Sequence, residues 1–500
     1  LTLRVTNMKN NVQLITYVDR IAHSDLKGLK QVLDTELHDL FGGVHLLPFY
    51  YPIDGSDAGF DPIDHAKVDE RLGDWNDVKQ IGQQYDIMAD LIVNHMSAES
   101  TEFQDVLANG KSSVYWDLFL TKDSVFPDGL SAENQAKIYR PRPGSCFTTY
   151  KLADGTQAEF WTTFTSNQID INVHTAAGQA HLNKVLTRFH ESKVDLIRLD
   201  AAGYAIKKPG TSCFMIEESF EFVDELAKKA NSLGMTTLAE IHSHYMTQLD
   251  IAKRVDMVYD FALPPLILHS LFSQDVSALS HWLSIAPRNC VTVLDTHDGI
   301  GIIDAGPVGN KAGLLTAAEI DNLVNRIHSN SKGESLQATG AAASNVDLYQ
   351  VNCTYYDALG QNDIDYLIAR SVQFFAPGIP QVYYTGLLAV PNAMELLNQT
   401  QVGRDINRPY LQVSDIQTAM QKPVVKALCE LITLRNKVDA FNGEFTMTNQ
   451  ANQLDLCWVH GDSSAKLSVN FATKEAHINI VESQQSTHIV LTDLLAKHSG

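Results

Sequence analysis

Eight short apolar segments recur along the chain, and each breaks into polar residues at its C-terminal end. They are VQLITYV (12–18), GVHLLPF (43–49), DIMADLIV (86–93), VDLIRLD (194–200), MTTLAE (235–240), DMVYDFA (256–262), CVTVLD (290–295) and PQVYYTG (380–386). Runs this short, apolar and β-branched read as parallel strands buried on both faces. Between many of them lie stretches of helical spacing, such as SDLKGLKQVLDTELHDLF (24–41) and EESFEFVDELAKKANSL (217–233). Parallel strands need crossover connections, and eight such repeats close into a (β/α)8 TIM barrel. The expected fold class is therefore α/β: a TIM barrel with two inserted subdomains and a C-terminal antiparallel β domain.

At 500 residues and 44% hydrophobic content, the chain is too long for one compact domain. Two connections are too long for ordinary loops, and long loops are usually functional. The first, 98–172, is rich in Pro, Gly and aromatic residues and reads as an inserted domain B. The second, 299–364, carries helix-like TAAEIDNLVNRIHSN (316–330) and the small-residue run GAAAS, and reads as an inserted domain B′. The barrel then comprises 8–97, 173–298 and 365–443. From 444 to 500 the pattern becomes alternating segments, EFTMT, LDLCWVH, AKLSVNF, HINIV and THIVLT, without intervening helices.

A barrel of this kind carries its active site at the C-terminal ends of its strands. Asp200 ends IRLD, Glu240 ends TTLAE, and Asp298 follows VLDTH. Any one of them alone reads equally well as a helix N-cap or loop carboxylate. Three together point to glycoside chemistry, in which one carboxylate attacks the anomeric carbon while a protonated partner serves the leaving oxygen. Arg198, two residues before Asp200, favours the ionised form and marks Asp200 as nucleophile. Glu240 has no adjacent cation in sequence and is the better proton donor. His95 and His297 taken singly read as ordinary hydrogen-bonded histidines, and Arg198 as a structural ion pair. Asp90 and Asn94 read as braces for a strand end.

Lys and Arg total 38 against 59 Asp and Glu, a net charge of −21. Such a surface disfavours nucleic acid and anionic membranes, and a phosphate site here needs a local basic pocket. The six cysteines contain no Cys-x-x-Cys pair and read as reduced thiols rather than a disulfide framework or metal site. Residues 1–7, LTLRVTN, are too short and polar for a signal peptide, so Met8 is the expected natural start and the cytoplasm the expected location. No cofactor or metal site is visible.

Four segments, DLIVNH (90–95), IRLDA (197–201), AEIH (239–242) and LDTHD (294–298), resemble in order the signature segments of the alpha-amylase superfamily. The resemblance implies Asp200 as nucleophile, Glu240 as acid/base and Asp298 as transition-state stabiliser, with His95, Arg198 and His297 lining the donor-sugar site. Longer stretches are similar to one branch, the sucrose phosphorylase family. They are DGSDAGFDPIDHAKVDERLG (54–73), IYRPRPG (138–144), RLDAAGY (198–204), VYDFALPP (258–265), LDTHDGIG (294–301), ATGAAASNVDLYQVN (338–352) and GRDINR (403–408).

That resemblance implies that Asp57, Phe60, His95 and Arg404 hold the donor glucose and that Phe164 faces the cleavage region. Arg142, Tyr204, His242 and Tyr349 match positions for phosphate or fructose, with Asp347, Leu348 and Gln350 accompanying Tyr349 on a mobile loop. Asp347 would face in for sucrose cleavage, then Tyr349 and Arg142 would replace it for phosphate. The implied reaction moves glucosyl from sucrose to phosphate, giving glucose 1-phosphate and fructose. No calcium requirement is implied, and a homodimer is an expectation by resemblance alone. Two departures, PGSCFTTYKL (143–152) and Pro409 after GRDINR, bear on the acceptor side. The rival readings are phosphorylases of sucrose 6′-phosphate, glucosylglycerol or glucosylglycerate, a plain α-glucosidase, and a sugar-binding barrel without activity.

Overall fold

The computed structural model describes residues 8–55, 58–141, 144–339 and 350–499. Its centre is a closed parallel barrel of eight strands: β1 (Gln13–Thr16), β2 (Gly43–Leu46), β3 (Asp86–Ile92), β4 (Leu196–Asp200), β5 (Thr236–Ala239), β6 (Met257–Asp260), β7 (Cys290–Thr292) and β8 (Ile379–Tyr383). Each expected strand forms, in chain order around the barrel, and β1 closes on β8 with Leu14 opposite Val382. β1, β2 and β8 are buried throughout, which is why their sequences show no polar alternation.

The helices are shorter than their apolar spacing suggests. The helix expected over 24–41 runs only from Leu26 to Asp34, capped by the Asp25 carboxylate accepting from Gly28 N–H. The rest is turn, with Asp39 at φ 57°. Helix Glu217–Ser232 matches its expected span and carries Glu217 and Glu218 in the first turn, against the positive end of its dipole.

Within 98–172 an antiparallel hairpin pairs Phe147–Lys151 with Gln157–Trp161, and Gln168–Asp170 pairs with His95–Ser97 directly beyond β3. Leu120, Val125, Phe126, Cys146 and Trp161 are buried together there, so Cys146 in the divergent PGSCF stretch serves packing. Within 299–364, Ile300–Gly301 pairs with Gln350–Val351, and a helix at Ala317–Asn330 opens on a capping box of Thr316 and Glu319.

Five antiparallel strands, β9 (Glu444–Gln450), β10 (Gln453–His460), β11 (Ser463–Asn470), β12 (Glu475–Glu482) and β13 (Gln485–Val490), form the C-terminal sheet. A helix, Leu491–Ser499, ends it where the sequence reading continues a strand through THIVLT. Asp493 in its first turn and Lys497 in its last complement the helix dipole, and both Lys497 and His498 reach Glu430. All six cysteines are free thiols. No helix of the described residues is long and apolar enough to cross a membrane.

The chain divides into two compact units: residues 46–241 with 254–257, and residues 8–45 with 242–253 and 258–499. Each carries some of the candidate residues.

Candidate active site

In the first unit, strand geometry does the positioning. Leu196, Arg198 and Asp200 alternate onto one face of β4, and the parallel register sets Arg198 beside Asp90 on β3. Arg198 Nη1 lies 2.5 Å from Asp90 Oδ1 and 3.0 Å from Asp200 Oδ1, and Nη2 lies 3.6 Å from Glu240 Oε1. One buried guanidinium therefore serves three carboxylates, two of them the proposed nucleophile and proton donor. This corrects the ground on which the sequence separates them: Glu240 does have a cation beside it, brought from β4. Arg198 is nearer to Asp200, so its bias still falls on that residue.

The support behind this cluster is itself buried. Tyr50 OH donates to the Asp90 carbonyl at 2.6 Å, and His65 Nε2 donates to the same oxygen at 3.1 Å. Burial pushes the His65 imidazole down to about 3, and burial pushes nearby His181 down to about 4. Ala201, immediately after Asp200, adopts φ 55° and ψ 25°, turning the chain sharply at the strand end. A left-handed alanine costs about 1 kcal/mol, strain of the kind that collects at functional sites.

His95, just past β3, donates from Nε2 to the Phe60 carbonyl at 3.0 Å, and its ring meets Phe164 edge-on at 5.5 Å. Phe164 meets Tyr204 edge-on at 5.2 Å, and Tyr204 packs on Phe214 at 4.4 Å. Phe60, in turn, faces the Arg198 guanidinium at 5.6 Å. His95, Phe164 and Tyr204 thus form a continuous aromatic run, with Tyr204 half-buried, and Phe60 is tied to it through its carbonyl. Gly203 makes room for it, since a Cβ there would come within 3.0 Å of both Phe214 and Met215.

Lys207 escapes the sequence reading. Its side chain is 1% exposed, and Nζ meets Asp170 Oδ2 at 2.8 Å. It also donates to Thr163 Oγ1 at 3.1 Å, to Asn94 Oδ1 at 3.2 Å and to the Tyr204 carbonyl. An oxygen cage of this type suits a cation, and here an ammonium fills it. Arg140 of IYRPRPG also proves structural, donating to the carbonyls of Gly144, Ser145, Thr162 and Thr163. Arg142, its sequence neighbour, lies outside the described residues, as do Asp57, Asp347, Leu348 and Tyr349.

In the second unit, Asp298 is held by long-range side chains. Arg404 Nη1 lies 2.8 Å from Asp298 Oδ1, while Arg408 Nη2 and His297 Nε2 each lie 3.6 Å from that oxygen. GRDINR forms a 3-10 turn that grips the THD loop: Arg408 Nε donates to the His297 carbonyl at 2.8 Å and Asn407 Nδ2 to the Thr296 carbonyl at 2.9 Å. Arg408, which the sequence reading passes over, is 2% exposed and touches both the loop and the carboxylate. In the departure after GRDINR, the Pro409 carbonyl accepts from Tyr384 OH at 2.6 Å.

His242 stacks face to face on Phe261 at 3.9 Å, with Nδ1 3.0 Å from Asp304 Oδ2 and Nε2 3.4 Å from Gln350 Nε2. Gln350 Oε1 accepts from Gly299 N–H at 3.1 Å and stands 3.5 Å from Arg404 Nη2. His242, Gln350, Arg404 and Asp298 therefore form one connected chain of polar contacts. Asp260 of VYDFALPP is structural, accepting from Trp282 Nε1 at 2.9 Å and from Leu263 N–H at 3.0 Å, while burial pushes its carboxyl up to about 6.

The alpha-amylase catalytic-domain family model matches residues 8–290. The sucrose phosphorylase of Agrobacterium vitis is 57% identical over 473 residues, covering 94% of this chain and 97% of its own. This chain belongs to the sucrose phosphorylase family of the alpha-amylase superfamily. A second member, the sucrose phosphorylase of Bifidobacterium adolescentis, is 51% identical over 92% of either chain. The crystal structure of sucrose 6F-phosphate phosphorylase from Thermoanaerobacter thermosaccharolyticum superposes with a TM-score of 0.89 at 37% identity, covering 98% of this chain and 99% of the other. The family's segments coincide with the contacts above: RLDAAGY holds the Arg198–Asp200 pair and the Gly203 gap, LDTHDGIG holds Asp298, and GRDINR braces it.

Proposed function

We propose that this protein is a sucrose phosphorylase, transferring glucosyl from sucrose to phosphate with retention and releasing D-fructose and α-D-glucose 1-phosphate. The observation that carries the reading is the 57% identity to a sucrose phosphorylase over nearly the whole of both chains, against 37% to the sucrose 6F-phosphate enzyme. Asp200 attacks the glucosyl anomeric carbon while Glu240 protonates the departing fructose, forming a β-glucosyl enzyme. Phosphate then attacks that intermediate, with Glu240 now taking its proton. Asp298 stabilises the positive charge that builds on the sugar in both steps.

Support for these roles is local. Arg198 reaches both Asp200 and Glu240, as suits two carboxyls working on one glycosidic bond. The aromatic run of His95, Phe164 and Tyr204 offers an apolar wall to a sugar ring. Arg404 serves the donor side and braces Asp298, while His242 and Gln350 face the acceptor. Asp57, Arg142, Asp347, Leu348 and Tyr349 keep the roles the family resemblance gives them, including alternation of the acceptor loop.

No calcium or other cofactor is expected for this reaction, a reading carried by family resemblance. Phosphate enters as co-substrate only. The expected location is cytoplasmic and the expected assembly a homodimer, both carried by family resemblance.

Incubating the pure protein with sucrose and phosphate, with and without a chelator, should yield glucose 1-phosphate and fructose in equal amounts. Sucrose 6′-phosphate, glucosylglycerol and glucosylglycerate run alongside should be poorer donors. Release of free glucose in place of glucose 1-phosphate would make the protein an α-glucosidase instead. Faster turnover of another donor would reassign it to that phosphorylase.

A further inference from the structure

Asp304 lies in GIGIIDAG, outside every motif used above, and its side chain is wholly buried. Both of its oxygens are committed. Oδ2 faces His242 Nδ1 at 3.0 Å, and Oδ1 accepts from Ser243 N–H at 3.1 Å and from Gln248 Nε2–H at 3.4 Å. A carboxylate used as acceptor on all sides requires hydrogen on the imidazole nitrogen facing it. That assigns the Nδ1–H tautomer to His242.

The other nitrogen is oriented just as firmly. Gln350 Oε1 accepts from Gly299 N–H at 3.1 Å and lies 3.5 Å from Arg404 Nη2, so the amide presents its NH2 group to His242 Nε2 at 3.4 Å. Phe261, stacked at 3.9 Å and 16° from parallel, blocks rotation of the ring. Space for the pair is written into the sequence: a Cβ on Gly301 would stand 2.8 Å from Asp304 Oδ2 and 3.6 Å from the His242 ring. Alanine there has no backbone penalty to meet, so the glycine at this position keeps room for the carboxylate and the imidazole.

We infer that Asp304 is a positioning residue for the acceptor half-reaction: it fixes His242 with its Nε2 lone pair toward the Gln350 amide NH2, and so holds the orientation of the amide that the functional reading places on the acceptor side. Fructose and phosphate, as acceptors bound against that amide, depend on its orientation. Water as acceptor depends on it less, being small and free to turn. The inference rests on the sucrose phosphorylase reading for its acceptors, but not for the tautomer.

Asp304→Asn tests it, because the amide keeps the shape while presenting N–H where the carboxylate accepted. The expected result is a rise of about ten-fold in KM for phosphate, and for fructose in the reverse direction, the scale of one lost hydrogen bond to a charged group. Glucose release from α-glucosyl fluoride without phosphate should change less than about two-fold. The ring ¹⁵N resonances of His242, assigned through His242→Gln, should move the proton from Nδ1 to Nε2. Gly301→Ala, which presses on Asp304 without removing its charge, should reproduce the KM effect in milder form if Asp304→Asn fails to fold. An unchanged tautomer, a changed tautomer with unchanged acceptor KM, or a parallel fall in glucose release each overturns the inference. A wild-type enzyme that makes no glucose 1-phosphate refutes the functional reading alone, and the tautomer measurement then decides the Asp304 assignment.

Discussion

The two units hold their carboxylates by different means. In the first, Asp90, Arg198 and Asp200 lie on neighbouring strands, and the register alone brings the guanidinium to the carboxylates. In the second, Asp298 sits on a loop and is braced by Arg404 and Arg408 from more than 100 residues further along the chain. Its polar chain continues through Gln350 to His242 and Asp304. Backbone register gives a rigid arrangement suited to a bond-making nucleophile. A chain of side chains joins several loops, and it can couple the segment carrying Gln350 to the carboxylate proposed to stabilise charge.

Asp200→Asn tests the first unit most severely. Glucose 1-phosphate production should fall on the order of 10⁴-fold or more while thermal stability changes little, because the substituted amide oxygen can still accept from Arg198. Near-normal turnover would remove Asp200 from the role of nucleophile. Arg198→Ala should be the more damaging change to the fold, since it removes an ion-pair partner of Asp90, whose carboxylate is fully buried. Loss of a buried ion-pair partner costs about 3–5 kcal/mol. A denaturation midpoint within a degree of wild type would show that Asp90 has adequate partners elsewhere.

In the second unit the expected split is reversed. Arg404→Ala should lower kcat by roughly 10²-fold with a stability loss of only about 1 kcal/mol, because this side chain retains 14% exposure. If Arg404→Ala unfolds the protein while kcat per folded molecule survives, the bracing of Asp298 is structural rather than catalytic.

A further expected effect concerns pH. His65 and His181 titrate near 6.5 when unfolded and are pushed down to about 3 and about 4 in the fold, mainly by burial. Their contribution to stability is complete above pH 6.5 and is lost as pH falls toward the folded values. Asp260 works against them: its carboxyl is raised to about 6, so its ionisation penalty is relieved as pH falls below 6. Two histidines outweigh one carboxyl, and by pH 4.5 the net loss should be about 3 kcal/mol. Thermal midpoints measured from pH 7.5 to 4.5 should fall more steeply for wild type than for His65→Asn, and equal slopes would deny His65 this role.

The barrel was legible because its strands are apolar on both faces and end abruptly, so pattern and burial coincide. The same pattern pointed to Asp200, which ends β4, and to Glu240, which directly follows β5, while Asp298 lies on the loop beyond β7. Chemistry carried by side-chain contact was not. Nothing beside Glu240 in the sequence announces Arg198, and nothing in IKKPG singles out Lys207, which becomes the buried partner of Asp170 only once the inserted segment folds back. IYRPRPG shows two similar arginines, yet Arg140 is consumed by backbone carbonyls. The C-terminal helix was missed because THIVLT has strand composition up to the residue where β13 ends. In GIGIID the glycines were the available signal for Asp304, since two small residues before a buried acid mark a place where something must fit closely.

The central claim, that the first unit supplies the covalent chemistry, is tested most directly by trapping the intermediate. Glu240→Gln incubated with α-glucosyl fluoride, whose leaving group needs no proton, should accumulate a glucosyl enzyme that mass spectrometry of proteolytic peptides places on Asp200. Added phosphate should not release it at the wild-type rate, because the base is gone. A label on Asp298 instead, or no label while glucose is still released, would contradict the account.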